Sequence, residues 1–477
     1  MTAHAAIFTE GGGKRGWGHI SRCGALAQAF ENYQIHAHLL IDGDASVLQA
    51  TPSGISVELL NWKYEKILKE RAPVEFAVID SYEAPERLYQ IAYETADTVI
   101  FFDDYSRIEY PGGLLIDNAE TPAKENSNIV RLSGLEYLPL RKGFWDAEEK
   151  KINEQIRSVV VNLGGGDTHL HTLQTIVDIA GMALPEIEIH ILGGARGLSL
   201  AGENIHMQCG LSDKELAKLF SQTDLAISAG GVTLNELAVC GVPTIAFTLA
   251  DNQLNNIRSL VSLDLAGYAG AASSSAFREE LIKQIESFHP FERRSDISRR
   301  LRSTVTGRGA LNVVKKAFRH FLDKRLLLRK AGIQDEAATL RLSNDPETRA
   351  SSFNQDVIRP EVHAQWFRQK IADPKTLFMI AEVKNRFAGQ IRFETEGENA
   401  VISVSVEKDF RNLGTGRVMM SKAIEECKRR FPHIRRAKAY MRKENKRSEM
   451  FFRRSGFKFV QELEIKGIPA LEYILEL

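Results

Sequence analysis

Short apolar runs alternate with amphipathic stretches through the first half of the chain, and this alternation constrains the fold more than any other feature. AAIF (5–8), HAHLLID (36–42), FAVIDSY (76–82) and TVIFFDD (98–104) read as strands. ISRCGALAQAFENY (20–33) reads as a helix with Cys23, Leu26, Ala27 and Phe30 on one face. Strands alternating with helices imply a doubly wound parallel sheet. A second series begins near residue 156. SVVVNLGGGD (158–167) is a strand and glycine turn, HTLQTIVDIAGMA (171–183) a helix, and IEIHILGG (187–194) the next strand. LSDKELAKLF (211–220) opens with a capping box from Ser212 to Glu215. DLAISAGG (224–231), VTLNELAVCG (232–241) and VPTIAFT (242–248) then give strand, helix and strand.

The pattern changes near residue 325. RLLLRKAG (325–332) reads as a new first strand, and TLFMIAEVKNRFAGQIRFE (376–394) as two strands joined by a polar turn at Lys384–Arg386. AVISVSVEKDF (400–410) is a third, and these strands are expected to be antiparallel. The basic segment 289–324 is expected to form the last helices of the first unit and the connector. A chain of 477 residues accommodates roughly three units at about 100–200 residues each. The expected fold is α/β. A GT-B-like pair of doubly wound parallel-sheet lobes, 1–145 and 146–322, precedes an α+β domain at 323–477.

Sixty-two basic side chains balance 62 acidic ones, so no strong polyanion-binding field and no nucleic-acid partner are expected. KRRFPHIRR (428–436) reads as a solvated basic surface. Cys23, Cys209, Cys240 and Cys427 show neither a Cys-x-x-Cys pair nor zinc spacing, which points to a reducing compartment. The N-terminus lacks the features of a signal peptide, and no apolar run reaches membrane-spanning length. A cytoplasmic protein without membrane insertion is expected.

GGGKRGWGHISR (11–22) is the most informative segment of the first half. A glycine-rich turn after a strand opens a helix, so backbone can approach a ligand and free helix N–H groups point at it. His19 lies at that helix start, where the positive end disfavours imidazolium; a neutral imidazole can take a proton from water. The segment resembles the Gly-x-Gly-His-x-x-Arg signature of the pseudaminic-acid UDP-sugar hydrolases, with Gly16, Gly18, His19 and Arg22 in place. The resemblance extends over about residues 5–260 and includes DSY (80–82), FFDD (101–104), NLGGGD (162–167), SAGGVTLNELAVCGVPTI (228–245) and ADNQLNN (250–256). Several of these are shared with the wider MurG-like glycosyltransferases. The resemblance implies release of UDP from a 2,4-diacetamido-2,4,6-trideoxy-β-L-altrose donor without a metal. It makes His19 the base that activates water, Tyr82 its neighbour and Asp80 an orienting group. Asp103 and Asp104 read as a polar strand end rather than a metal pair.

The second lobe carries the expected nucleotide end. Gly230 and Gly231 permit a tight strand-to-helix turn, and the N–H groups of Val232 and Thr233 then face a diphosphate. Glu236, one turn into the helix, can accept ribose hydroxyls. Asn252, Gln253 and Asn255 follow the next strand and suit sugar hydroxyl or acetamido groups. Gly165, in NLGGGD, sits at a strand end on the same cleft.

VSVEKDFRNLGTGRVMMSKAIEECKRR (404–430) reads as strand, glycine turn and helix. Arg411, Leu413, Gly414, Thr415 and Gly416 resemble the first motif of the GNAT acetyltransferases, and the resemblance covers about 325–477. It implies that the turn binds the pyrophosphate of acetyl-CoA and that backbone groups at Val404 and Val406 pair with pantetheine. Asn445, Ser448, Gly456 and Phe457 continue the second motif. One departure stands out. The position often held by an acidic Tyr is Phe452, which has no proton to give, so water or Tyr440 is left to protonate the thiolate. In the related pseudaminic-pathway transferases the acceptor is a 4-amino group of a UDP-sugar, and Glu394 is a candidate base. The leading expectation is a bifunctional UDP-sugar hydrolase and N-acetyltransferase. A MurG-like glycosyltransferase fused to an acetyltransferase, and a hydrolase regulated by a CoA-sensing domain, are the alternatives.

Overall fold

The computed structural model describes residues 3–12, 15–103, 106–117, 128–164, 169–184, 186–193, 204–250 and 253–477. It divides into two compact units, residues 2–317 and 318–477. The first unit holds two parallel-sheet lobes.

The first lobe contains β1 (Ala3–Gly11), α1 (Gly18–Asn32), β2 (Ile35–Gly43), β3 (Ser56–Leu59), α2 (Glu65–Arg71), β4 (Phe76–Asp80), α3 (Glu86–Thr95), β5 (Thr98–Phe102), β6 (Gly113–Asp117) and β7 (Ile129–Ser133). The sheet order is β3-β2-β1-β4-β5-β6-β7, and every pairing is parallel. Strands covered on both faces must be apolar on both faces. FAVID of β4 and TVIFF of β5 are buried at every position. Phe8, Trp62, Tyr89, Phe101 and Tyr110 form much of the core on one side. The order reverses between β1 and β4, and the gap outside the carboxyl ends of two such strands is where ligands bind in open α/β sheets.

The second lobe contains β8 (Ser158–Asn162), α4 (Leu170–Ala183), β9 (Glu188–Leu192), β10 (Ile205–Gln208), α5 (Asp213–Gln222), β11 (Leu225–Ala229), α6 (Val232–Val239), β12 (Thr244–Thr248), α7 (Gln253–Val261) and β13 (Gly267–Ala271). Helices α8 (Phe277–Ser287), α9 (Phe291–Thr304) and α10 (Gly309–Arg325) follow. The parallel order is β10-β9-β8-β11-β12-β13, with its own reversal between β8 and β11. The capping box at α5 forms as its sequence requires: Ser212 accepts from the Glu215 N–H, and Glu215 reaches back to the Ser212 N–H. The expected domain limit at residue 322 falls inside α10, so a helix and not a loop leads into the last unit.

The last unit contains β14 (Leu326–Lys330), α11 (Glu336–Ser343), α12 (Pro346–Ala350), α13 (Pro360–Ala372), β15 (Thr376–Val383), β16 (Arg386–Glu396), β17 (Asn399–Val406), α14 (Thr415–Arg430), β18 (Arg436–Arg442), α15 (Lys446–Arg454), β19 (Lys458–Ile465) and β20 (Ile468–Glu476). Its sheet runs β14-β15-β16-β17-β18-β20-β19, antiparallel except for β17 with β18. That exception positions a site. β17 pairs with β16 as far as Val406, but its pairing with β18 stops after Val401. The two strands then part. Among the described residues no helix is long and apolar enough to cross a membrane.

Candidate active sites

In the first lobe, β1 ends in a tight turn closed by mutual hydrogen bonds between Gly12 and Gly16, at 3.1 and 2.8 Å. Both glycines have positive φ, 126° and 80°, which a side chain would resist. The turn delivers α1 with Trp17 at its N-cap and no side-chain cap, so its leading N–H groups face outward. His19, in the first turn, is buried and donates from Nδ1 to Asp80 Oδ1 at 2.7 Å. Asp80 ends β4, the strand next to β1 at the switch point. Arg22 grips the same carboxylate twice, Nε to Oδ2 and Nη2 to Oδ1, both at 2.6 Å. Burial alone lifts an acid, but the charge of Arg22 and the hydrogen bonds from Arg22 and His19 outweigh it and hold Asp80 far below the ordinary carboxylate range. With Nδ1–H committed to Asp80, the lone pair sits on Nε2. The Tyr82 ring stands edge-on to the imidazole at 4.4 Å and is 39% exposed. His19, Asp80, Tyr82 and Arg22, expected from motifs 60 residues apart, therefore meet.

Several contributors escaped the sequence reading. Glu10, buried at the end of β1, accepts from the Ser81 hydroxyl at 2.6 Å and from the Tyr82 N–H at 2.9 Å. It thereby fixes the turn that carries Tyr82. Lys63 pairs with Glu10 at 2.8 Å, with Asp42 at 3.0 Å and with Glu83. An acid at an apolar strand end was the available signal for Glu10. Asp103 accepts from the Arg107 N–H at 3.2 Å. Asp104 lies outside the described residues. Among the described residues no three His, Cys, Asp or Glu side chains are grouped to hold a metal ion.

The second lobe presents a similar helix start. An added Cβ on Gly230 would stand 2.7 Å from the Gln253 carbonyl, so only glycine fits. Val232 and Thr233 open α6, which also has no side-chain cap. A Cβ on Gly18 would lie 4.0 Å from Val232 Cγ2, so the two uncapped helix starts face one another. Paired positive helix ends favour an anion between them. Glu236, 1% exposed, takes a hydrogen bond from Arg141 Nε and an ion-pair contact from Arg141 Nη2 on the same oxygen, while its Oε2 has no hydrogen-bond partner among the described residues. Burial lifts Glu236 above its ordinary value, with Arg141 working against it. Gln253 spends its side-chain oxygen on the Leu249 N–H, and Asn255 is half-buried on α7. Gly165 and Asn252 lie outside the described residues.

In the last unit, Gly414 has φ 85° and caps α14 without a side-chain cap. Its start opens beside the split between β17 and β18, with Val404 and Val406 on the β17 arm. Leu413 and Thr415 are buried, and Thr415 donates to the Phe410 carbonyl at 2.7 Å. A Cβ on Gly416 would meet Phe451 at 3.0 Å, which keeps α14 close to α15. The Arg411 side chain is held within the fold. Its guanidinium binds Asp345 at 2.6 Å, Glu347 at 3.0 Å and the Val406 carbonyl at 2.9 Å. It ties α12 to the end of β17. Asn445 caps α15 by accepting from the Ser448 N–H at 3.0 Å. Phe452 is buried against Phe451 and Phe457. Tyr440 donates to Glu472 at 3.2 Å, and burial together with Glu472 raises its phenol. Burial pushes Glu394 up, but Lys370 and Arg392 hold it below the usual range, which makes it a weak base.

Comparison with known proteins finds different relatives for the two parts of the chain. The profile described as "Acetyltransferase (GNAT) domain" matches residues 342–477. The spore coat polysaccharide biosynthesis protein SpsG of Bacillus subtilis is 24% identical over 268 residues, 52% of this chain and 78% of that one. The pseudaminic acid cytidylyltransferase and UDP-2,4-diacetamido-2,4,6-trideoxy-beta-L-altropyranose hydrolase of Helicobacter pylori is 23% identical over 257 residues, 52% of this chain and 45% of that one. The chain thus spans less than half of the Helicobacter protein. Among solved structures, a ribosomal-protein-alanine N-acetyltransferase from Brucella melitensis is 24% identical, covering 32% of this chain and 99% of its own, with a TM-score of 0.29. The chain is a fusion of a half similar to SpsG and to the pseudaminic-pathway hydrolase with a GNAT acetyltransferase domain.

Proposed function

We propose that the protein is a bifunctional enzyme of pseudaminic acid synthesis. Its first unit releases UDP from UDP-2,4-diacetamido-2,4,6-trideoxy-β-L-altropyranose, and its last unit acetylates the 4-amino group of a UDP-linked precursor. The observation that carries the hydrolase reading is the Asp80–His19 pair at the β1/β4 switch point, opposite an uncapped helix start on the second lobe. Asp80 fixes the tautomer, so Nε2 of His19 takes a proton from water as the water oxygen bonds to the anomeric carbon. The bond from that carbon to the phosphate oxygen breaks, and UDP leaves with its charge facing the starts of α1 and α6. Val232 and Thr233 hold the diphosphate, and Glu236 the ribose. Gly16, Gly18, Arg22, Gln253 and Asn255 shape the sugar end.

For acetyl transfer, the split between β17 and β18 supports pantetheine pairing at Val404 and Val406, and the turn 411–416 supports pyrophosphate binding at the start of α14. The neutral amine attacks the thioester carbonyl, the C–S bond breaks, the nitrogen gives up a proton to water as the amide forms, and the departing thiolate takes up a proton. Tyr440, on the β18 arm beyond the split, is our candidate donor. Four unpaired cysteines suit a reducing cytoplasm. His19→Asn should cut UDP release by about 10²–10⁴-fold while UDP still protects the protein against heating. A variant keeping more than roughly a third of wild-type release rules out His19 as the base, because base loss costs far more.

A further inference from the structure

We infer that Arg141 is the positioning residue that reserves one oxygen of Glu236 for the ribose, which makes it a determinant of ribose-over-deoxyribose selectivity. This rests on the reading of α6 as the nucleotide end. Arg141 lies 95 residues before Glu236, in the segment that joins the two lobes. Its Nε and Nη2 both reach Glu236 Oε1, at 2.8 and 2.7 Å. Its Nη1 reaches Asp213 Oδ1 at 2.8 Å, and its guanidinium lies over the Phe144 ring at 5.6 Å. The fork therefore converges on one carboxylate oxygen and is held in that pose from two sides. The other oxygen, Oε2, is buried without a hydrogen-bond partner among the described residues. A buried carboxylate oxygen left unpaired is costly, and a ligand hydroxyl removes that cost. Lysine could not reproduce the arrangement, since an ammonium offers a point charge rather than a fixed planar fork.

The placement has a second consequence. Lys142, the next residue, donates its N–H to Gln28 Oε1 at 2.8 Å, on the helix that carries His19. The grip on the nucleotide carboxylate is thus anchored one residue from a contact with the hydrolytic helix.

The test is calorimetric titration of the full chain with UDP and with 2′-deoxy-UDP, for wild type, Arg141→Met and Arg141→Lys. Wild type should prefer UDP by roughly tenfold or more, the size expected of a hydrogen bond to a charged acceptor. Arg141→Met should lose that preference almost completely, along with roughly tenfold in UDP affinity. Arg141→Lys should fall between them, and it preserves the charge if the methionine variant does not fold. An Arg141→Lys protein that melts cooperatively and keeps the wild-type preference overturns the role of Arg141. A wild type that binds UDP and 2′-deoxy-UDP equally overturns the ribose reading of Glu236 itself. A wild type that binds neither overturns the nucleotide end.

Discussion

Asp80 serves three partners at once: it orients His19, neutralises Arg22 and accepts weakly from the Cys23 thiol at 3.4 Å. Replacing it leaves a buried cation and an unheld imidazole. Asp80→Asn should lower stability by roughly 3–5 kcal/mol, the range for breaking a buried pair on one side. It should also lower turnover by about a hundredfold or more, because the imidazole can adopt the wrong tautomer. The pH dependence has a definite sign. Asp80 ionises more readily in the folded chain than in the unfolded one, so its contribution is complete above about pH 4 and disappears as pH falls through the depressed folded value. Denaturant titrations from pH 7 to pH 3 should show the stability gap between wild type and Asp80→Asn narrowing below about pH 4. A gap that stays constant, or a folded variant with full turnover, contradicts the assignment. His19 was legible at a helix start that follows a glycine-rich turn, and Asp80 through the resemblance of DSY (80–82) to the hydrolase family. Arg141 and Glu10 were not, because their roles come from partners 95 and 71 residues away that only the folded chain brings close.

The elements followed from the sequence wherever periodicity and capping chemistry agreed. FAVIDSY and TVIFFDD read as strands, and their FAVID and TVIFF parts form strands buried at every position, while the Ser212 cap forms where its spacing places it. The split between β17 and β18 was less accessible, since it depends on where a parallel pairing stops and not on any residue type. Motif residues also acquired structural explanations. Asn445 caps α15, so Asn445→Ala should cost the last unit about 1 kcal/mol and Asn445→Ser should restore most of it. Thermal melting of the three proteins checks this, and equal melting temperatures would show that the cap is idle. Arg411 read as the first residue of the turn that binds the acetyl-CoA pyrophosphate. Its partners on α12, 64 and 66 residues earlier in the chain, could not be read from that motif.

At the scale of the whole molecule, the first unit carries two sheets and the last unit one, and each unit has its own candidate site residues. The continuity of α10 into the last unit makes cutting the chain near residue 322 a poor way to separate the activities, because the cut would fall inside a helix. Point substitution is cleaner. His19→Asn should leave acetyl-CoA consumption within about twofold of wild type, since surface and site changes in one compact unit rarely reach another. The most direct test of bifunctionality supplies the full chain with acetyl-CoA and a UDP-linked 2-acetamido-4-amino-2,4,6-trideoxy sugar and follows products by mass spectrometry. Our account predicts free CoA, free UDP and a free diacetamido sugar, with UDP appearing only after acetylation. Acetylation without UDP release, or UDP release that ignores acetyl-CoA, would contradict it.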